Sequence, residues 1–312
     1  MFGGPNFRVV RAAALLLGAA AAVAGCAAFT ESGGEPAGTD GERPLVLTTF
    51  SVLGDMAANV AGDHLDVASI VPVGAEIHGY EPTAQDVVRA QGADLILDNG
   101  LGLEAWFTRF TDRTGTPSVT LSEGLATVPI AGTDDVNPHA WMSPEGAVHY
   151  VHAMAEAFAE LDPAHAGDYA RNADGYVDRI EEIGTRADDV LAGIPPEHRL
   201  LVTCEGAFSY LARDIGLEEA YLWPVNADAD PTAQHVADVT RLVIERELPA
   251  VFCESTVSDA VQSQVAAESG ARLAGPLYVD SLSEADGEVP TYLDLLAHDL
   301  EVIAEGLAGG AR

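Results

Sequence analysis

The chain has 312 residues, room for two domains of ordinary size, and 48% of them are hydrophobic. Its 49 acidic residues face 15 basic ones, all of them arginine, for a formal charge of −34. That balance repels phosphate, which excludes nucleic acid as a partner, and it suits a secreted protein with a strongly solvated surface.

Arg8 and Arg11 precede an apolar run from Ala12 to Ala24, and no acid occurs before Cys26. A charged start followed by a short apolar stretch reads as a secretory leader over 1–26, too short for a comfortable membrane span. It ends in Val23-Ala24-Gly25-Cys26, which resembles a bacterial lipobox. The resemblance implies cleavage before Cys26, lipidation of its thiol, and anchoring of the mature protein to the outer face of the cell membrane. Residues 27–43 are small, polar and acidic, a flexible tether. No later apolar run is long enough to cross a membrane.

From residue 44 to 161 short apolar runs alternate with helical patterns. Leu45–Phe50 reads as a strand with a helix through Val60. Val67–Pro72 is a second strand, followed by the loop Val73 to Pro82 and a helix from Thr83 to Gln91. Asp94–Leu97 and a helix from Leu103 to Arg113 come next. Ser118–Leu121 then leads through a long loop to Asn137-Pro138-His139-Ala140-Trp141, and Ser143–Leu161 closes this half as a helix.

Residues 162–194 contain no proline after Pro163. Tyr169, Ala173, Tyr176, Ile180, Ile183, Ala187, Val190 and Leu191 recur at three and four residues, one face of a helix. Asp162 and Pro163 stand where an N-cap and first-turn proline belong, and Gly193 with Pro195 and Pro196 supplies the stop. At about 1.5 Å per residue this rod would be roughly 45 Å long, the span of a whole domain.

The alternation restarts over 195–312. Arg199–Thr203 runs into Cys204-Glu205-Gly206, with a helix to Ile215. Ala220–Pro224, a helix from Pro231 to Glu247 started by Asp230, Ala250–Cys253, a helix from Val257 to Ser269, Arg272–Val279 and a last helix from Thr291 to Leu307 follow. Alternating strands and helices predict parallel sheets. The fold expected is therefore α/β: two lobes, each with a roughly four-stranded parallel sheet flanked by helices, joined by one long rigid helix. Cys204 and Cys253 end two strand-like runs and lack zinc-site spacing. A disulfide between them and a pair of buried free thiols both remain open.

Ligands of open α/β sheets bind beyond the carboxyl ends of the strands. Four polar residues stand there: His78 and His139 in the first lobe, Glu205 and Asp280 in the second. Two imidazoles and two carboxylates make a coherent set for a divalent metal. Glu254 also follows a strand and competes as an acidic ligand. His149 and His152 share a helix face and could form a second pair, although exposed helix histidines are commoner. His64, His165, His198, His235 and His298 read as surface or capping residues. Trp141 is expected to pack over the cleft, and Trp106 and Trp223 in the core.

These motifs resemble the metal-binding lipoproteins of ABC importers for manganese, zinc and iron, from Leu45 to Leu307. His78-Gly79-Tyr80-Glu81-Pro82 is similar to the family's first histidine motif, with Glu76 and Ile77 where an acid and a proline usually stand. Asn137-Pro138-His139-Ala140-Trp141 resembles the second, with asparagine for aspartate. Thr203-Cys204-Glu205-Gly206-Ala207-Phe208 matches the third, with cysteine where serine is common, and Val279-Asp280-Ser281-Leu282 the fourth. The resemblance implies a monomeric receptor with limited lobe closure. It would carry one divalent ion as cargo to a membrane permease driven by a cytoplasmic ATPase, without catalysing a reaction.

The zinc branch of that family usually has histidine as third ligand and a histidine-rich loop after the fourth strand. Here the position is Glu205, and residues 122–137 contain no histidine. Two nitrogens with two carboxylates suit Mn2+ first, with Zn2+ and Fe2+ as alternatives. Two other functions are set against this one. A secreted metal-dependent hydrolase would keep three protein ligands and an open water position. A receptor for an iron chelate would grip its cargo with arginines and aromatics, and the arginines here do not gather at strand ends.

Overall fold

The computed structural model describes residues 43–225 and 231–309, without the side chains of 187–191. The expectations placed on 1–42, Cys26 among them, and on Asp230 lie outside the described residues. In the first half, β1 (Leu45–Thr48), β2 (Asp66–Ser69), β3 (Leu95–Asp98) and β4 (Ser118–Thr120) form one parallel sheet in the order β2-β1-β3-β4. The helices α1 (Ser51–Ala61), α2 (Ala84–Gln91) and α3 (Phe107–Thr114) connect them. β3 is buried along its whole length, as expected of a parallel strand covered on both faces.

Local chemistry sets the helix starts. Thr83 and Asp86 form a reciprocal capping box before α2. Ser143 accepts from the N–H of Gly146 at the head of α4 (Pro144–Leu161), where Pro144 takes a first-turn place that needs no N–H donor. The sequence pattern starts the third helix at Leu103, but α3 begins at Phe107. The Glu104 carboxylate is turned back to take the N–H of Asn99 and Gly100 and the hydroxyl of Thr49, which holds that turn as a loop.

The long helix α5 runs from Ala166 to Ala192. It starts later than the pattern suggests. Asp162 ends α4 and opens a short 3-10 turn, Pro163–His165, and its carboxylate binds His165 and the Tyr169 hydroxyl in place of capping the rod. Tyr169, Ala173, Tyr176, Ile180 and Ile183 form the buried face of α5. That face packs on α1 and α4 of the first lobe and on α9 (Tyr292–Leu307) of the second. Asp55 of α1 ties the three together, accepting from the Tyr176 hydroxyl and the N–H of Tyr292.

The second half repeats the winding with β5 (Leu200–Glu205), β6 (Glu218–Trp223), β7 (Ala250–Glu254) and β8 (Arg272–Leu277). The helices are α6 (Ser209–Ile215), α7 (Ala233–Glu245, capped by Thr232) and α8 (Ala260–Ser269). Here the expected four-stranded sheet is drawn as two parallel pairs, β5 with β6 and β7 with β8. The pairs lie side by side, and side chains bridge the seam. Cys204 and Cys253 are joined in a disulfide with Cα atoms 4.9 Å apart, which decides the question the sequence left open. The Gln262 amide donates to the carbonyls of both Val202 and Phe252. One apolar core runs from β1 through α4 and α5 into α9, and a second fills the space under β5–β8. No described helix is long and apolar enough to cross a membrane.

Candidate metal centre

His78 lies on the loop after β2, held from two sides. Glu76 takes the N–H of His78 at 2.7 Å and of Gly79 at 2.9 Å, and the Trp106 indole donates to the carbonyl of Ile77 at 3.1 Å. His139 is oriented by Asn137, whose Oδ1 accepts from the backbone N–H of His139 and lies 2.9 Å from its Nδ1. A carbonyl oxygen there requires the proton on Nδ1 and leaves the Nε2 lone pair free, available to a metal ion. Glu205 is the last residue of β5, and its N–H donates to Glu254 at 3.2 Å. Gly206 follows it in a space where a Cβ would lie 2.7 Å from the carbonyl oxygen of Pro224, so only glycine fits without moving Glu205. Asp280 lies just past β8, between Val279, whose carbonyl receives the Trp141 indole N–H at 3.0 Å, and Ser281.

These four side chains converge. His78 Nε2 is 3.3 Å from His139 Nε2, 3.3 Å from Glu205 Oε1 and 3.8 Å from Asp280 Oδ2. His139 Nε2 is 3.9 Å from Glu205 Oε1 and 3.7 Å from Asp280 Oδ1. One ligand atom from each lies within 4.8 Å of all the others, and all four residues are buried. Asp280 Oδ1, which faces His139 Nε2 at 3.7 Å, is buried without a hydrogen-bond partner. An unpaired buried carboxylate oxygen is costly, and it fits a place shaped to meet an ion.

The electrostatics agree. Burial works to lower the His78 pKa, but the carboxylates of Glu205, Asp280 and Glu76 outweigh it and push the ring up to about 9. Burial, with the charge of His78 added, pushes His139 well down. Burial raises Asp280, opposed by His78 and reinforced by Glu205. Glu254 is raised well above the carboxylate range by burial and by Glu205. It lies behind Glu205 and groups with the disulfide, not with the four converging side chains. The His149 ring donates from Nε2 to the carbonyl of Glu123, away from this centre.

The two lobes are latched beside it. Ser281 accepts from the N–H of Gly74 at 2.6 Å, and Ser51 at the head of α1 accepts from the N–H of Leu282 at 3.0 Å. Asn137 also donates to the carbonyl of Gly206 and to the Ser209 hydroxyl across the cleft. Trp141 is fully buried against Phe50 and His139, not spread over an open cleft, while Trp106 and Trp223 sit in the core. Sequence reasoning missed Ser51 as a cross-lobe contact and Glu254 as the support for Glu205. The signal for Glu254 was its place at the end of β7, next to the half-cystine Cys253.

Residues 46–306 match the family described as zinc-uptake complex component A, periplasmic. The chain is 47% identical over 265 residues to the iron-binding protein YfeA of Yersinia pestis, covering 84% of this chain and 85% of that one. It is 34% identical over 279 residues to the manganese-binding lipoprotein MntA of Halalkalibacterium halodurans, covering 88% and 93%. Among solved structures, the Mn-bound periplasmic metal binding protein from Candidatus Liberibacter asiaticus superposes with a TM-score of 0.79 at 37% identity, over 85% of this chain and all of that one. The periplasmic zinc binding protein TroA from Treponema pallidum gives 0.80 at 25% identity, over 85% and 99%. By sequence along most of its length and by a shared two-lobed fold, the chain belongs to this family of periplasmic metal-binding proteins.

Proposed function

We propose that this protein is the extracytoplasmic receptor of an ABC importer. In this reading His78, His139, Glu205 and Asp280 hold one divalent metal ion as cargo and deliver it to a membrane permease. The observation that carries the reading is the convergence of four ligand atoms, two from each lobe, within 4.8 Å in a buried space. Four protein ligands leave no open position for an attacking water, which argues for capture over hydrolysis. The relative named a manganese-binding lipoprotein supports a lipid anchor, which the sequence puts at Cys26.

Two imidazoles with two carboxylates favour Mn2+, because bidentate carboxylates can raise the coordination number to six. Fe2+ is the second reading, favoured by the 47% identity to a protein named as iron-binding. Zn2+ is the third, since it outranks manganese in raw affinity at most such sites. Elemental analysis of protein purified from its native host, with calorimetric titration of each ion, tests the assignment. Stoichiometric Mn2+ or Fe2+, lost in His139→Ala, is the expected result; turnover of a hydrolase substrate that a chelator abolishes would replace it with an enzyme. Glu205→His is expected to move preference toward Zn2+, and an unchanged order of affinities argues against Glu205 as the deciding ligand.

A further inference from the structure

The four converging side chains are closed to solvent, each residue 6% exposed or less. A hydrated divalent ion cannot enter such a space in one step, because losing its water without replacement is steeply unfavourable. Some group must reach both the water and the first ligand. Among the described residues, the acids within 4.0 Å of His78 Nε2 are Glu76, Glu205 and Asp280. Glu76 alone of these has a side chain that reaches solvent in part, 31% exposed against 2% for Glu205 and 1% for Asp280. Its carboxylate is fixed by the N–H groups of His78 and Gly79, so it is preorganised, and it pairs with no arginine among the described residues.

We infer that Glu76 is the receiving carboxylate of the site. It takes the incoming divalent ion, still partly hydrated, and passes it to His78, from which the remaining ligands engage. This rests on the proposed metal centre and adds a step that precedes it. The ligand class is a hard divalent cation with several waters, which a single carboxylate oxygen can hold while water completes the shell. A group that touches the ion in transit, and not in its final position, lowers the barrier in both directions. It therefore changes the rates of capture and release together and leaves the affinity nearly unchanged.

Stopped-flow tryptophan fluorescence with Mn2+ alone reads both rates, since the Trp141 ring lies 5.1 Å from the His139 ring. Glu76→Gln keeps an acceptor oxygen for the backbone and removes the charge. The expected result is that kon and koff both fall about tenfold while Kd stays within about threefold. Glu76→Asp, which keeps the charge but draws it back, should lie between. Glu160→Gln on α4 removes an exposed acid elsewhere and should leave both rates as they were. An unchanged kon in Glu76→Gln, a fall in kon not matched in koff, or equal slowing in Glu160→Gln overturns the inference. If the unaltered protein takes up no Mn2+, Fe2+ or Zn2+, the metal centre itself fails and this inference with it.

Discussion

At the scale of single residues, the chemistry of the centre is set as much by what holds the ligands as by the ligands. Asn137 occupies the place where the related motif usually has aspartate, and the structure shows what an amide does there. Its oxygen fixes the Nδ1 proton of His139, and its nitrogen reaches across to Gly206, next to Glu205. Removing it should turn the ring and loosen the opposite ligand together. Asn137→Ala is expected to weaken metal binding by about 10- to 100-fold, read by calorimetry; an unchanged affinity would make this contact incidental. The protons of the centre yield a second expectation. Because its carboxylate neighbours hold the His78 ring up at about 9, the ion-free site keeps a proton through the neutral range, and an ion must displace it. Affinity should therefore rise with pH from about 6 to about 9, and titrations in buffers of different ionisation enthalpy should show net proton release. A flat pH profile would contradict the raised His78. The convergence of His78, His139, Glu205 and Asp280 was legible because polar residues just beyond apolar runs are where open sheets place their sites. Glu254 and Ser51 were not, because their roles depend on which strand ends and helix heads become neighbours.

At the scale of elements, the alternation of parallel strands and helices in the first lobe and the buried stripe of α5 follow directly from period and burial, and both were legible; the strand order was not. The ends of α5 were less so. Asp162 has the right residue type for a cap, but the nearby His165 and Tyr169 side chains compete for its carboxylate. The seam between β5 and β7 was legible only as an open choice at Cys204 and Cys253, since it is held by side chains from different elements. One of its bridges is the disulfide, which closes a loop with a sequence separation of 49. Cross-linking over that length limits the unfolded chain by about 4 kcal/mol in the chain-entropy account. Reduction, or Cys204→Ser with Cys253→Ser, should lower the urea midpoint correspondingly and steepen the slope, because the freed unfolded chain exposes more surface. An identical midpoint with and without reductant would show that Gln262 and the apolar core suffice to hold the seam.

At the scale of the whole molecule, composition and interior act in the same direction. The chain carries a formal charge of −34, and its interior holds several carboxyl groups away from water. Burial, reinforced by Glu104, pushes Asp98 up to about 7, and burial also raises Glu104 and Asp299. For each of these the folded value lies above the unfolded one. The unfolded chain loses its protons first as pH rises, so the stabilising contribution is complete below the unfolded carboxylate range and is lost as pH climbs through the folded values. The ion-free protein should then melt at a higher temperature near pH 5 than near pH 8, and added salt should raise the pH 8 value most, because it screens the net charge. Asp98→Asn should flatten the pH dependence by removing one such group. The bound ion works against this slope. Its stabilisation grows with the ratio of free ion to Kd, and Kd improves as the His78 proton leaves. The gap in melting temperature between loaded and ion-free protein should therefore be wide at pH 8 and narrow at pH 5.5. A gap that stays constant across that interval would mean that no proton is exchanged for the ion, and the electrostatic account of the centre would have to be abandoned.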